Sequence, residues 1–156
     1  MRRLKFGEIL VEENLITDAQ LQEALNRQKT VRKKLGEILI DMRIISENEM
    51  LVALSKKLKF QYEDNPVQFM DASVRDLVSQ DFAQNNKILP LYIENGTLCF
   101  ATNDPLDFVT MEDLSMIAGF DTLPVISPMN TIEHGLNVLY KIDVTTNDIT
   151  QLTDQD

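Results

Sequence analysis

The sequence predicts an α+β protein in which a tandem helix-turn-helix repeat is followed by a small ββαβα subdomain. Residues 5–28 recur as residues 34–57 with the same helical hydrophobic pattern. Farther along the chain, an Asn-Gly pair separates two short apolar runs, which is a strong signal for a β-hairpin. We therefore predict a helical subdomain over residues 1–60, a small α+β subdomain over 61–142, and an acidic linker or tail over 143–156.

The repeat aligns Gly7 with Gly36, an offset of 29 residues. Each copy begins with a short helix, from about Lys5 to Glu13 in the first copy, whose apolar residues fall at i, i+3 and i+4. A capping box and a hydrophobic staple then open a second helix. The capping pairs are Thr17 with Gln20 and Ser46 with Glu49, and the staple pairs are Ile16 with Leu21 and Ile45 with Met50.

The turn between the two helices of each copy predicts a left-handed residue at Asn14 and at Arg43. Asparagine suits this conformation. Arginine fits it poorly and costs about 1 kcal/mol if the conformation is kept.

The second half of the sequence predicts two strands, a helix, an edge strand and a final helix. Pro124 favours an edge for the third strand because proline lacks the N–H that a central strand donates. A short helix and a connector precede the hairpin. The predicted elements are a connector over 61–71, a helix over 72–80, strands over 88–93 and 97–101, a helix over 107–118 ended by Gly119, a strand over 122–126, and a helix over 128–140.

The charges divide unequally between the two halves. Residues 1–60 hold 12 Lys+Arg and 9 Asp+Glu, whereas residues 61–156 hold 3 and 16. The acidic half argues against general nucleic-acid binding, which needs a broad basic face. No apolar run approaches the roughly 18 residues that span a bilayer, and no signal peptide is recognisable, so a cytoplasmic location is expected.

Residues for known catalytic chemistry are sparse. None of the five glycines begins a P-loop, and one cysteine with one histidine cannot make a zinc cluster. His134 is interpreted as a helix-surface or partly packed side chain, and Cys99 as a buried small hydrophobe. Asp104 and Asp107 are a candidate carboxylate pair for a small hydrolase, but a helix cap and a turn are the favoured explanation for them.

The repeat resembles the MshEN-type domain found at the N-terminus of type II secretion and type IV pilus assembly ATPases. The similar stretches are residues 5–11 with 20–28, and residues 34–40 with Ala53-Leu54. Residues 100–107, Phe-Ala-Thr-Asn-Asp-Pro-Leu-Asp, are similar to a strand-to-turn segment of the same family. The resemblance covers roughly residues 4–141.

This resemblance implies a non-catalytic regulatory and docking domain. Its partner would be the cytoplasmic domain of an inner-membrane platform protein, which would hold the chain at the membrane without insertion. Some members also bind cyclic di-GMP, with each motif holding half of the dinucleotide. No cofactor is implied. A stand-alone cyclic di-GMP receptor or adaptor is the alternative.

The resemblance also implies the residues of a cyclic di-GMP site. Leucines of both copies would form an apolar bed, and backbone N–H groups near the two glycines would face phosphates. The same leucines and glycines are equally explained by interhelical packing. Lysine stands where binding members have arginine, and lysine lacks the planar guanidinium fork. The candidate residues are Lys5, Phe6, Gly7, Leu10, Leu25, Gln28, Lys34, Leu35, Gly36, Leu39, Leu54 and Asp104.

Overall fold

The structure, a computed structural model, describes residues 5–141, and the chain divides into two compact units, Met1–Tyr62 and Glu63–Asp156. The sequence predicted a division between residues 60 and 61. Helices and one three-stranded sheet make up the described residues, which confirms the predicted α+β class. The predicted acidic linker or tail over 143–156 lies outside the described residues.

The first unit contains the four helices that the repeat predicts. They are α1 (Phe6–Glu12), α2 (Asp18–Gln28), α3 (Leu35–Asp41) and α4 (Glu47–Leu58). Both capping boxes are present. Thr17 Oγ1 accepts a hydrogen bond from the Gln20 N–H at 3.1 Å, and Gln20 Oε1 accepts one from the Thr17 N–H at 2.9 Å. Ser46 and Glu49 repeat this exchange at 3.1 and 2.9 Å.

Each copy closes its first helix with a Schellman turn. Asn14 has φ 62° and Arg43 has φ 61°, so both adopt the predicted left-handed conformation. The N–H groups of Asn14 and Leu15 donate back to the Val11 and Leu10 carbonyls, each at 3.0 Å. The second copy makes the equivalent pair of bonds, which is the hydrogen-bond pattern of this helix end. The turn geometry has therefore kept its form although one copy carries arginine.

The second unit contains the predicted ββαβα order with further short helices ahead of it. Two 3-10 helices, Pro66–Phe69 and Ala72–Asp76, come first. The elements that follow are α5 (Gln80–Asn86), β1 (Leu89–Glu94), β2 (Thr97–Thr102), α6 (Phe108–Ala118), β3 (Asp121–Ile126) and α7 (Met129–Tyr140).

The prediction of a helix over residues 72–80 is wrong. The chain forms only a 3-10 turn at Ala72–Asp76, and the α-helix begins at Gln80. Ser79 explains the later start, because its Oγ accepts from the Phe82 N–H at 3.1 Å and caps α5.

The sheet has the order β1-β2-β3. β1 and β2 are antiparallel, and Asn95 (φ 54°) with Gly96 (φ 78°) makes the tight turn between them that the sequence predicted. β2 and β3 run parallel, with α6 as the connection, and β3 is the edge strand that Pro124 favoured.

Helix α7 packs against β1 and β2 and seals the core of the second unit. Gly135 allows this approach, since a Cβ there would overlap the fully buried Leu89. Tyr140 is buried at the end of α7, and its hydroxyl donates to the Val78 carbonyl at 2.7 Å. Burial raises the pKa of the Tyr140 hydroxyl to about 12.

Candidate functional site

Three of the four leucines predicted to form an apolar bed lie in the core of the first unit. Leu10, Leu39 and Leu54 have no exposed surface, and Leu25 is half-buried. Interhelical packing, the simpler explanation offered by the sequence, therefore describes these three side chains in this structure. A bound molecule would reach them only after the helices or side chains above them moved.

Each of the two repeat glycines packs against a residue of the other copy, and the two contacts are equivalent. A Cβ on Gly7 would lie 3.4 Å from Leu35 Cδ2 in the second copy, and a Cβ on Gly36 would lie 3.1 Å from Phe6 Cζ in the first. Phe6 and Leu35 occupy equivalent positions, as do the glycines. Such an exchange, in which residue i contacts j and j contacts i, is the mark of two-fold symmetry.

The glycines also sit tightly against their own copy. A Cβ on Gly7 would come 2.6 Å from Leu21 Cδ1, and one on Gly36 would come 2.8 Å from Met50 Sδ. Leu21 and Met50 are the equivalent staple residues of α2 and α4. Close helix packing is therefore one requirement that both glycines meet.

The packing of the helices follows the same two-fold relation. Helix α1 packs against α2 and α4, and α3 packs against α4 and α2. Exchanging the two copies converts the α1–α4 contact into the α3–α2 contact. A linear stack of repeats would instead bring only neighbouring repeats together in one direction. The first unit is thus a closed pair of motifs, with the starts of α1 and α3 next to each other.

Lys5 and Lys34 stand at the N-cap positions of α1 and α3. Their backbone N–H groups donate to Glu8 and Glu37, each at 3.0 Å. A lysine side chain has no acceptor, so only this half of a capping box forms. Both lysines are exposed, and the two-fold relation places one ammonium-bearing side chain at the start of each short helix.

Gln28 and Lys57 occupy equivalent positions at the ends of α2 and α4, but their contacts differ. Gln28 Nε2 donates to the Lys33 carbonyl at 3.2 Å. Lys57 Nζ instead forms an ion pair with Glu12 of the first copy at 2.9 Å. The hydrogen bond and charge of Glu12 raise the pKa of the Lys57 ammonium. The pair lies at the surface, where such contacts contribute little stability, so its main effect is to occupy Lys57.

Asp41 is the residue of the second copy that matches Glu12. It pairs with Lys33 at 2.6 Å, and its hydrogen bond raises the pKa of that lysine. The repeat is therefore symmetric in its backbone and core but asymmetric in its surface charges. Sequence reasoning missed both ion pairs, although an acidic residue at the same position of both copies was a visible signal.

A shallow groove of about 550 Å³ lies on the second copy beside the left-handed turn. Arg43 is the cation among its lining residues, and Asp41 and Glu49 are the acids. The apolar floor comes from the loop between α3 and α4. The remaining lining residues are Ile40, Ile44, Ile45 and Ser46.

Asp104 and Asp107 lie in the loop between β2 and α6 of the second unit. Asp107 caps α6, because its Oδ1 accepts from the Thr110 N–H at 3.1 Å and its Oδ2 from the Thr110 hydroxyl at 2.6 Å. The Asp104 N–H donates to Thr102 Oγ1 at 3.0 Å, and its carbonyl accepts from the Asp107 N–H at 3.2 Å. The cap and turn favoured by the sequence are what the loop forms.

Among residues 5–141, no group of three or more His, Cys, Asp or Glu side chains is arranged to hold a metal ion. His134 is exposed on α7, and Cys99 is buried in β2. None of the helices in this part of the chain combines the length and apolar character that crossing a membrane requires.

These features define a two-unit α+β domain whose first unit is an internal two-fold repeat. The family model of the MshEN domain matches residues 63–146, more than half of the chain, and the chain belongs to this family. The resemblance seen in the repeat is confirmed: the chain is an MshEN-type domain of the kind found at the N-terminus of secretion and pilus ATPases. No curated protein matches it.

Solved structures extend the similarity to the repeat. The structure of MshE with cdg has 29% sequence identity and a TM-score of 0.77, and the match covers 88% of this chain and 100% of that one. The N-terminal domain of XpsE has 18% identity and a TM-score of 0.68, over 88% of this chain and 97% of that one. At that identity the XpsE likeness shows the fold alone. A match over 88% of this chain must include most of the first unit, which the family model does not cover.

Proposed function

We propose that this chain is a non-catalytic regulatory and docking domain of a secretion or pilus assembly ATPase, and that it binds cyclic di-GMP across its two repeats. The observation that carries the proposal is the reciprocal packing of Gly7 with Leu35 and of Gly36 with Phe6. Cyclic di-GMP consists of two identical guanylates, so a two-fold protein site offers each half the same surroundings. The structure of MshE, which matches 88% of this chain, has been solved with cdg, the abbreviation of this dinucleotide.

The cations of the repeat support an anionic ligand. Lys5 and Lys34 are exposed and equivalent, and each would meet one guanylate of a symmetric dinucleotide. A lysine supplies charge but not the bidentate fork and stacking surface of arginine. We therefore expect weaker binding than in a relative that carries arginine at both positions.

Calorimetric titration of the purified chain with cyclic di-GMP tests this site. We expect heat of binding at tens of micromolar ligand, and none with cyclic di-AMP at the same concentration. Lys5→Ala and Lys34→Ala should each weaken binding, whereas Lys5→Arg combined with Lys34→Arg should tighten it. Lys56→Ala is the matched control, because it removes one exposed positive charge from α4 and Lys56 is not among the candidate site residues. Absence of heat with the unaltered chain would exclude cyclic di-GMP as the ligand.

The docking part of the proposal needs a separate test. The partner is proposed to be the cytoplasmic domain of an inner-membrane platform protein, which would hold the chain at the cytoplasmic face of that membrane. A pull-down with the purified chain from native cytoplasmic and membrane extracts should recover a component of a secretion or pilus machine. Recovery of none, from extracts that contain such a machine, would contradict the docking function and leave the nucleotide site to its own test.

A further inference from the structure

Helix α6 carries apolar side chains on its solvent side as well as on its core side. Thr110 and Leu114 are buried, whereas Val109 is 69% exposed and Met116 is 82% exposed. Val109 and Met116 are seven residues apart, two helical turns, and so lie on one stripe of the helix. A surface helix normally shows polar residues opposite its buried stripe. The solvent side of α6 therefore carries two large apolar side chains that no described residue covers.

Two further exposed apolar side chains belong to α6 and to the strand against which it packs. Ile117, next to Met116, is 51% exposed, and Leu123 on β3 is 47% exposed. Helix α6 packs against β3. Isolated exposed apolar residues are normal on protein surfaces, but a group on one helix marks an interaction site.

The charged residues of α6 itself are all acidic. Glu112 and Asp113 are exposed on α6 between Val109 and Met116, and the helix has no basic residue. No lysine or arginine occurs anywhere between Lys87 and Lys141. A protein that covers this face must bring cations with it if the two carboxylates are to be paired.

Two other occupants are disfavoured, each for a different reason. A second copy of this chain docked through the same face would place Glu112 and Asp113 opposite their own equivalents, with no cation on α6 to pair with them. An added β-strand has little edge to pair with, because Pro124 has no N–H and the Ile126 carbonyl already accepts from the Glu63 N–H at 2.8 Å. A helix that lays its apolar face on α6 requires no backbone partner.

We propose that this face of α6 is a docking surface for an amphipathic helix of another protein, one whose apolar stripe is bordered by lysine or arginine. The α6 face is defined as Val109, Glu112, Asp113, Met116 and Ile117. The proposal rests on the docking function proposed above and assigns that function a surface and a partner chemistry.

Binding of two synthetic helical peptides to the full chain tests the proposal. Both peptides carry the same leucine stripe, which is bordered by lysine in one and by glutamate in the other. Backbone amide signals of the chain are followed by NMR during each titration. We expect the lysine-bordered peptide to shift signals of α6 and β3, and the glutamate-bordered peptide to bind at least about tenfold more weakly.

Substitutions of exposed residues distinguish specific binding at the α6 face from non-specific binding elsewhere on the surface. Met116→Ser should weaken binding of the lysine-bordered peptide by about tenfold. The double substitution Glu112→Lys with Asp113→Lys should abolish the preference for the lysine-bordered peptide over the glutamate-bordered one. Val138→Ser on α7 and Glu94→Lys at the hairpin are matched controls, because both residues are exposed and lie outside α6. Equal binding of both peptides, or shifts outside α6 and β3, would overturn the proposal. So would a dimer of the unaltered chain in sedimentation that Met116→Ser dissociates.

The outcome can be separated from that of the proposed function. If Met116→Ser leaves the pull-down of a machine component unchanged, the docking function stands and the α6 face is not its surface. If no component is recovered even by the unaltered chain, the docking function itself fails. Met116→Ser should retain the heat of cyclic di-GMP binding, which shows that the variant is folded.

Discussion

Replacing Gly36 with alanine perturbs the contact that makes the two repeats reciprocal. The added Cβ would lie 2.8 Å from Met50 Sδ and 3.1 Å from Phe6 Cζ. The Met50 thioether is flexible and moves at low cost, but the Phe6 ring is rigid. Adding a methyl group to a packed site costs typically about 1–3 kcal/mol. Helix propensity returns up to about 1 kcal/mol when alanine replaces glycine. We expect Gly36→Ala to destabilise the first unit by about 1 kcal/mol.

Urea unfolding followed by circular dichroism measures this loss, and hydrogen exchange of the α1 and α3 amides assigns it to the first unit. Ala19→Gly is the matched control, because Ala19 is the second residue of α2, is exposed, and so occupies the helical position that Gly36 has in α3. Its cost reports propensity alone. In a Phe6→Ala background, the penalty of Gly36→Ala should shrink, since the ring that it meets is gone. If Gly36→Ala stabilised the chain while the Phe6 ring is present, the two-fold packing described here would be refuted.

Four further substitutions test local features of the fold. Arg43→Gly should stabilise the chain by about 1 kcal/mol, because glycine adopts the left-handed φ without strain, and a lower melting temperature would contradict this. Thr17→Ala and Ser46→Ala should each cost about 1 kcal/mol in urea unfolding, and an unequal loss would show that one capping box is dispensable. Tyr140→Phe should cost about 1–3 kcal/mol, because the Val78 carbonyl loses its donor. The Tyr140 hydroxyl has its pKa raised from 10.0 to about 12, so its contribution is fully present below pH 10 and lost as the pH rises towards 12. Unfolding measured across this range should show less alkaline destabilisation in the phenylalanine variant than in the unaltered chain.

The features that the sequence predicted well are set by neighbouring residues. A capping box needs only Thr17 and Gln20, three positions apart, and the tight hairpin turn needs only Asn95 and Gly96. The left-handed turn at Arg43 was visible because the equivalent Asn14 stands at the same place in a repeat. Such signals involve residues only a few positions apart, so they can be recognised in the sequence without knowledge of the tertiary packing.

The features that the sequence did not predict depend on packing between distant residues. The reciprocal contacts of Phe6 and Leu35 with the glycine of the other copy depend on the two copies packing as a closed pair. A repeat pattern alone does not distinguish a closed pair from a linear stack. The ion pair of Lys57 with Glu12 joins residues that are far apart in the chain. Helix α5 was not predicted, and a helix was placed over residues 72–80 instead, because Ser79 was not recognised as a cap.

The candidate site was only partly predictable for a related reason. The leucines Leu10, Leu39 and Leu54 serve the core, and the sequence offered both a ligand bed and the core as their role. Periodicity shows that a side chain faces inward but not whether the interior is open to a ligand. The difference between Gln28 and Lys57 is visible in the sequence, yet its structural consequence is the engagement of Lys57 by Glu12.

The difference between Gln28 and Lys57 leads to a prediction about the affinity for cyclic di-GMP. Lys57→Gln restores the residue that the first copy has at Gln28 and releases Glu12 from its ion pair. We expect this substitution to tighten cyclic di-GMP binding, because both halves of the site then end in the same neutral side chain and Lys57 is no longer held by Glu12. Lys56→Gln, one residue away and not among the candidate site residues, should leave the affinity unchanged. Weaker binding by Lys57→Gln would show that the ammonium itself contacts the ligand.

The stoichiometry of cyclic di-GMP binding, measured by calorimetry on the unaltered chain and on Lys5→Ala and Lys34→Ala, tests the central claim most directly. If the two copies form one two-fold site, one dinucleotide binds per chain, and the loss of either lysine weakens that single event. Two independent binding events per chain, or a loss of affinity on changing one copy but not the other, would contradict a site shared by both repeats.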